Sequence, residues 1–162
     1  YGTIQAGIAV ITKKSLDAYS SYEQLAGGVQ TLFGAGGQSL EEYAKSIDST
    51  VDNAKDKYKS LMSAQNAVMK AAAGAYKTAG MSANTYMETV TSFSASLIQG
   101  LSGDTEAAAK EADRAITDMA DNANKMGTNI QDIQNAYQGF AKMNYTMLDN
   151  LKLGRQCHCR AA

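Results

Sequence analysis

Residues whose types could do chemistry are few, and the most conspicuous are glycines. The stretch YEQLAGGVQTLFGAGGQSLEEYAK, residues 22–45, holds Gly27, Gly28, Gly34, Gly36 and Gly37. A phosphate loop of the Walker type wraps backbone amides around phosphates and follows its last glycine with lysine and a hydroxyl residue. Here Gln38 and Ser39 follow Gly37, and no lysine is in place. The dinucleotide fingerprint needs a strand before its glycines, and none is indicated. Glycine's tolerance of positive φ makes a hinge between helices the economical reading of Gly27, Gly28, Gly34, Gly36 and Gly37.

Other chemistry is scarcer still. His158 is the sole histidine and lies between the only cysteines, Cys157 and Cys159. Three adjacent ligands lack the spaced geometry of a zinc site, and the body of the chain is left without a Cys–His or Ser–His–Asp set. DNANKMGTNIQD, residues 121–132, has a passing likeness to a calcium loop. With Asn122 as first ligand, however, Met126 and Ile133 fall where oxygen ligands are required. Carboxylates are scattered among lysines rather than paired as a general acid and base. The expectation is a protein without catalytic residues, cofactor or metal, acting through shape and association.

Composition supports this. The chain has 162 residues and no proline or tryptophan, where average usage would give roughly eight prolines. Alanine is abundant. Proline breaks helices and alanine favours them, so helix is expected nearly throughout. The formal charge is −1, with acids and bases interspersed. No basic face is available to neutralise a run of phosphates, which argues against direct nucleic-acid binding. No apolar run approaches the ~20 residues of a membrane span. A start on Tyr1 with no basic leader reads as a piece of something longer, without a signal peptide.

Periodicity divides the chain into helices, here an N-terminal helical segment over 1–33 with its glycine-rich hinge at 27–37, and a helical region over 38–154. Within the first, Ile4, Ile8, Ile11 and Tyr22 mark a helix over about 4–25. Within the second, helices are expected over about 39–79, 82–101, 104–126 and 129–153. The helix at 39 opens on a capping box, Ser39 with Glu42. It carries a heptad seam in steps of four and three: Leu40, Ala44, Ile47, Val51, Ala54, Tyr58, Leu61, Gln65, Val68, Ala72 and Ala75. That period makes helices supercoil about a partner, and over about five repeats it predicts a rod on the order of 50 Å long. Leu40, Ile47, Val51, Tyr58, Leu61 and Val68 are the self-association residues so identified, and Gln65 is the polar interruption that would set register. Gly80 ends this helix and Ser82 caps the next, whose inner face is Tyr86, Val90, Phe93, Leu97 and Leu101. Ala108, Ala112, Ile116, Met119, Ala123 and Met126 line the following one. Gly127 stops it, and Thr128 with Gln131 forms a second capping box ahead of Ile133, Tyr137 and Phe140. The fold class is all-α: long amphipathic helices with a heptad seam, as a helical bundle or coiled coil.

Three long phrases carry a resemblance. YEQLAGGVQTLFG (22–34), AYKTAGMSANTYMETVTSFSASLIQGL (75–101) and DMADNANKMGTNIQDIQNAYQGFAKMNYTMLDNLKLG (118–154) closely resemble tail tape measure proteins of long-tailed bacteriophages and prophages of Gram-positive bacteria. The resemblance implies an extended helical scaffold around which tail-tube subunits assemble, whose length sets tail length. It also implies release through the tube during genome ejection, with transient membrane contact. The partners so implied are copies of the chain itself and tail-tube and tail assembly proteins. The location is the virion tail and, during assembly, the host cytoplasm.

Two departures stand out. Family members are several times longer and some carry muralytic domains, which are not visible here. After Gly154 the chain turns into RQCHCRAA, residues 155–162, an atypical tail that a frame change, a prophage remnant or an expressed fragment would each explain. A different class of reading is a small helical secreted or membrane-active interaction module. Against it stand the missing tryptophan of the secreted helical-hairpin family, the near-zero charge and the short apolar runs.

Overall fold

Capping chemistry decides where most of the helices begin. The computed structural model describes the backbone of residues 2–130 and 132–135, and the side chains of those residues from Ser15 onward. Its elements are α1 (Gly2–Phe33), α2 (Leu40–Ser46), α3 (Val51–Thr78), α4 (Ala83–Gly100) and α5 (Thr105–Met126), and residues 130 and 132–135 are helical again. No strand occurs among the described residues. Ser39 accepts the Glu42 amide while its own amide donates to the Glu42 carboxylate at 2.8 Å, so the capping box at α2 forms in full. Thr50, Ser82 and Asp104 cap α3, α4 and α5 by accepting amide hydrogens in the first turn. Each satisfies a donor that the helix leaves orphaned, worth about 1 kcal/mol.

The helices form a bundle. Short turns make α3–α4 and α4–α5 antiparallel hairpins. Helices α3 and α5 therefore run side by side in one direction, the middle of α3 tied to the first turn of α5 by Ser63 Oγ donating to Glu106 at 3.1 Å. Helix α1 lies along α4 and runs parallel to it, opposite to α3 and α5, with Asn84 donating to the Ala18 carbonyl and Gly28 lying beside Thr91. Phe33, Val29, Val68, Tyr86, Met87, Val90, Ile116, Met119 and Ile133 fill the centre, and alanines occupy most of the remaining inner positions. Small side chains let helix axes approach toward the short end of the usual 8–10 Å.

Three sequence expectations are corrected. The first concerns α1, which continues through Gly27 and Gly28 as unbroken helix to Phe33 instead of stopping near residue 25. Both glycines thus lie inside a helix and not in a hinge. Two buried anchors, Val29 and Phe33, are fully covered, and their burial outweighs the helix penalty of about 1 kcal/mol per glycine. The chain turns instead at 34–37, where Gly36 and Gly37 adopt φ of 65° and 80°.

The second concerns the single helix over 39–79, which is broken at 47–50. Asp48 takes a left-handed φ of 50°, Thr50 restarts the helix, and α2 folds back on α3 alone. The rod of about 50 Å does not form as one element. Its physical cause is the anchoring of α1, taken up in the Discussion.

The third is the capping box at Thr128. The Thr128 hydroxyl is buried without a hydrogen-bond partner, and helix resumes at Ile130, directly after Asn129. Gln131, the rest of the helix expected over 129–153 with Tyr137 and Phe140, and the tail over 155–162 lie outside the described residues.

These corners predict opposite responses to glycine. Asp48→Gly should raise stability by about 0.5–1 kcal/mol, because glycine accepts the left-handed region without a Cβ clash. Gly127, at φ 62°, should lose about 1 kcal/mol when replaced by alanine. Urea midpoints on the two variants give the signs; matching shifts in one direction would contradict the corner geometry.

Candidate functional site

The structure splits the heptad seam in two. Leu61 and Val68, with Ala54, Ala72 and Ala75, are buried on the inner face of α3. Ile47 and Val51, at the break, are 45% and 41% exposed. Leu40 and Tyr58 are half-buried, and Tyr58 holds the fold-back by donating to the Gln38 carbonyl at 2.9 Å, its ring tilted against Tyr43. The six self-association residues therefore do not share one continuous surface. Gln65 sits against the end of α1, where a Cβ at Gly34 would overlap its carboxamide.

Two polar contacts between distant segments tie the bundle together. The Tyr86 hydroxyl donates to Asp113 Oδ1 at 2.8 Å, joining α4 to α5. Burial, and then the Asp113 carboxylate beside it, hold the Tyr86 phenol above its ordinary value. Gln134 donates to the Thr89 hydroxyl at 2.7 Å, and Thr89 in turn donates to the Thr85 carbonyl. Neither pair was legible in the sequence, since the partners are 27 and 45 positions apart and no local spacing links them. At the start of α2, the Ser39 amide and then its hydroxyl hold the Glu42 carboxyl below its usual range.

What remains available to a partner is surface. From Ser15 to Gln24 every residue of α1 is exposed, although Asn84 of α4 reaches the Ala18 carbonyl. It presents Leu16 at 69% and Tyr19 at 62% exposure. The Tyr19 hydroxyl is hydrogen-bonded to Glu23, which raises its pKa. Between α3 and α5 lies an open depression of about 350 Å³, lined by Ala67, Lys70, Ala71, Gly74, Thr78 and Asp113. Among the described residues no cluster of three or more His, Cys, Asp or Glu could hold a metal, and no helix is long and apolar enough to cross a membrane. Cys157, His158 and Cys159 lie outside the described residues.

Fold and surface together define an all-α bundle with exposed apolar side chains on α1 and an open depression beside α3. Compared with protein-family models, curated proteins and solved structures, the chain matches none.

Removing the Tyr86 hydroxyl (Tyr86→Phe) should cost about 1–2 kcal/mol near neutral pH, because Asp113 loses a donor at a partly dry site. The raised phenol pKa fixes a sign as well. Its contribution is complete below the unfolded value near 10 and is lost as pH rises toward the higher folded value. Wild-type stability should therefore fall above that pH more steeply than that of Tyr86→Phe, as read by thermal melts between neutral and alkaline buffer. Parallel pH curves would contradict the buried pairing.

Proposed function

We propose that the chain is part of a tail tape measure protein: a structural and assembly component that scaffolds tail-tube polymerisation, sets tail length and leaves through the tube at genome ejection. The observation that carries this reading is the resemblance of the phrases at 22–34, 75–101 and 118–154. All-helical architecture is in keeping with it, because a helix advances a set distance per residue and so converts chain length into physical length. So is an interior of alanine and methionine, which suits helices that exchange partners. On this reading the partners are further copies of the chain and tail-tube and tail assembly proteins, the setting is the virion tail and the assembling host cell, and no covalent chemistry is involved.

Self-association through the seam has two exposed test residues, Ile47 and Val51. Val51→Lys leaves the buried residues untouched, so helicity should persist while sedimentation shows weaker association if the seam joins copies.

Tail length supplies the decisive measurement. In the phage or prophage that carries the gene, deleting residues 51–78 removes the 28 residues of α3. Tails should shorten by about 42 Å, at 1.5 Å per residue. Tails of unchanged length in electron micrographs would overturn the reading.

A further inference from the structure

We propose that the corner at 47–50 is a conformational switch: releasing the end of α1 from α3 lets residues 40–78 join as one continuous helix, and docking it folds α2 back. The corner is built unlike the others. Positive-φ glycines mark the turns that follow α1, α3, α4 and α5, at Gly36, Gly37, Gly80, Gly103 and Gly127. The turn between α2 and α3 is Ile47-Asp48-Ser49-Thr50, without glycine or proline. Its left-handed residue is Asp48, at φ 50°. The Ser49 amide donates to the Ala44 carbonyl at 2.9 Å and the Asp48 amide to the Lys45 carbonyl at 3.2 Å. This is a helix stop of the kind glycine usually makes, held by a residue whose Cβ disfavours it. All four corner residues can instead enter a helix.

The heptad phase passes through the corner without a slip. Ala44, Ile47, Val51 and Ala54 keep steps of three, four and three, so a joined helix would carry one stripe from Leu40 to Ala75. The folded-back form has no use for that phase, since it leaves Ile47 and Val51 exposed at the break. Little holds α2 closed. Among the described helices it touches α3 alone. Ala44 is buried, Tyr43 lies against Tyr58 with ring centroids 5.7 Å apart, and the Tyr58 hydroxyl donates to the Gln38 carbonyl. Joining the helices would relieve Asp48 and give the corner amides intrahelical partners. The capping box of Ser39 and Glu42 can open the helix in either form.

The end of α1 prevents that joining. Gly34 lies against Gln65. With one helix over 40–78, Leu40 would be about 37 Å from Gln65, beyond the ~20 Å that the chain from Gly34 to Leu40 can span. Val29 and Phe33 are fully buried, and while they stay seated the helix must bend. Docking of α1 and bending at 47–50 are therefore two faces of one equilibrium, and whatever biases one biases the other. The inference stands apart from the tape-measure reading: it concerns a single copy in solution, and tail length plays no part in its test.

The test places nitroxide pairs on the full chain carrying Cys157→Ser and Cys159→Ser, diluted with unlabelled protein, and reads distances by pulsed electron resonance. Glu41→Cys with Lys59→Cys, both exposed, reports the corner. Folded back, these labels sit on neighbouring helices; along one helix they are about 27 Å apart. Thr31→Cys with Asn66→Cys, also exposed, reports the seat of α1 on α3. Wild type should give the short distance from both pairs. Two perturbations then act from opposite ends. Asp48→Ala with Ser49→Ala and Thr50→Ala, none of them buried, favours helix through the corner and removes the Thr50 cap. Phe33→Ala weakens the anchor. Each should raise the fraction at about 27 Å at least ~tenfold, with an equal fraction in which Thr31 and Asn66 have separated, and with helicity by circular dichroism retained. Adding Asp48→Gly to Phe33→Ala should suppress the long distance again, because glycine favours the corner over the helix. Corner labels that stay close in both variants would overturn the proposal. So would a long corner distance while Thr31 and Asn66 stay close, or a broad spread with lost helicity in the corner variant.

Discussion

The end of α1 is anchored on α3, and the rest of the architecture follows from that anchor. Val29 and Phe33 are fully buried, and a Cβ at Gly34 would overlap the Gln65 carboxamide and crowd the Gln30 carbonyl. If residues 40–78 formed one straight helix, Leu40 would lie about 37 Å from Gln65. The chain from Gly34 to Leu40 can reach at most about 20 Å. Something must give. Undocking Phe33 and Val29 would forfeit on the order of 3–5 kcal/mol of burial. Breaking the long helix at 47–50 costs a left-handed Asp48 and a few helical hydrogen bonds, partly offset by the cap at Thr50 and the Tyr58–Gln38 bond. The break is the cheaper solution, and α2 is its product.

That anchor acts on an interior with little redundancy. Ala44, Ala54, Ala64, Ala72, Ala75, Ala108, Ala109, Ala112 and Ala120 are all buried, and each contributes roughly one methyl group, about 0.8 kcal/mol. Much of the remaining apolar burial falls on a few large side chains, among them Phe33, Tyr86, Met87, Ile116, Met119 and Ile133. Specificity comes from polar ties between segments. Tyr86 with Asp113 holds α4 to α5, and Gln134 with Thr89 brings the helical residues beyond Gly127 onto α4. An alanine stripe offers weak register information on its own, so these pairs carry it.

Local chemistry was readable in the sequence because its cause is local. Ser39 with Glu42, Ser82 and the glycines at 80 and 127 bound helices through contacts spanning a few residues. The all-α class followed from composition for the same reason. The break at 47–50 was hidden because its cause is the tertiary tether of α1, and the heptad phase runs through the corner undisturbed. Thr50 followed by Val-Asp-Asn was the one local sign of a helix start. Gly27 and Gly28 misled in the opposite sense: glycine permits a turn but does not require one, and the burial of Val29 and Phe33 just beyond them decides the matter. Gln65 was legible as an oddity on an apolar seam. Its role as a neighbour of Gly34 was not, because 31 positions separate them.

Under the tape-measure reading, the same apolar faces serve two packings that cannot coexist. In the bundle, Val68, Ala72 and Ala75 are buried in the core that α3 shares with α1, α4 and α5. In an extended scaffold they would face helices of other copies. Exchanging one set of small partners for another changes the buried apolar area little, so the seam itself expresses only a weak preference. Preference for the compact form must then come from contacts that only the compact form makes. Phe33 in its pocket, the Tyr86–Asp113 pair and the fold-back tie from Tyr58 are contacts of that kind. Of these, the α1 anchor acts first, because the 34–39 connector is too short for α2 and α3 to align while Phe33 stays seated.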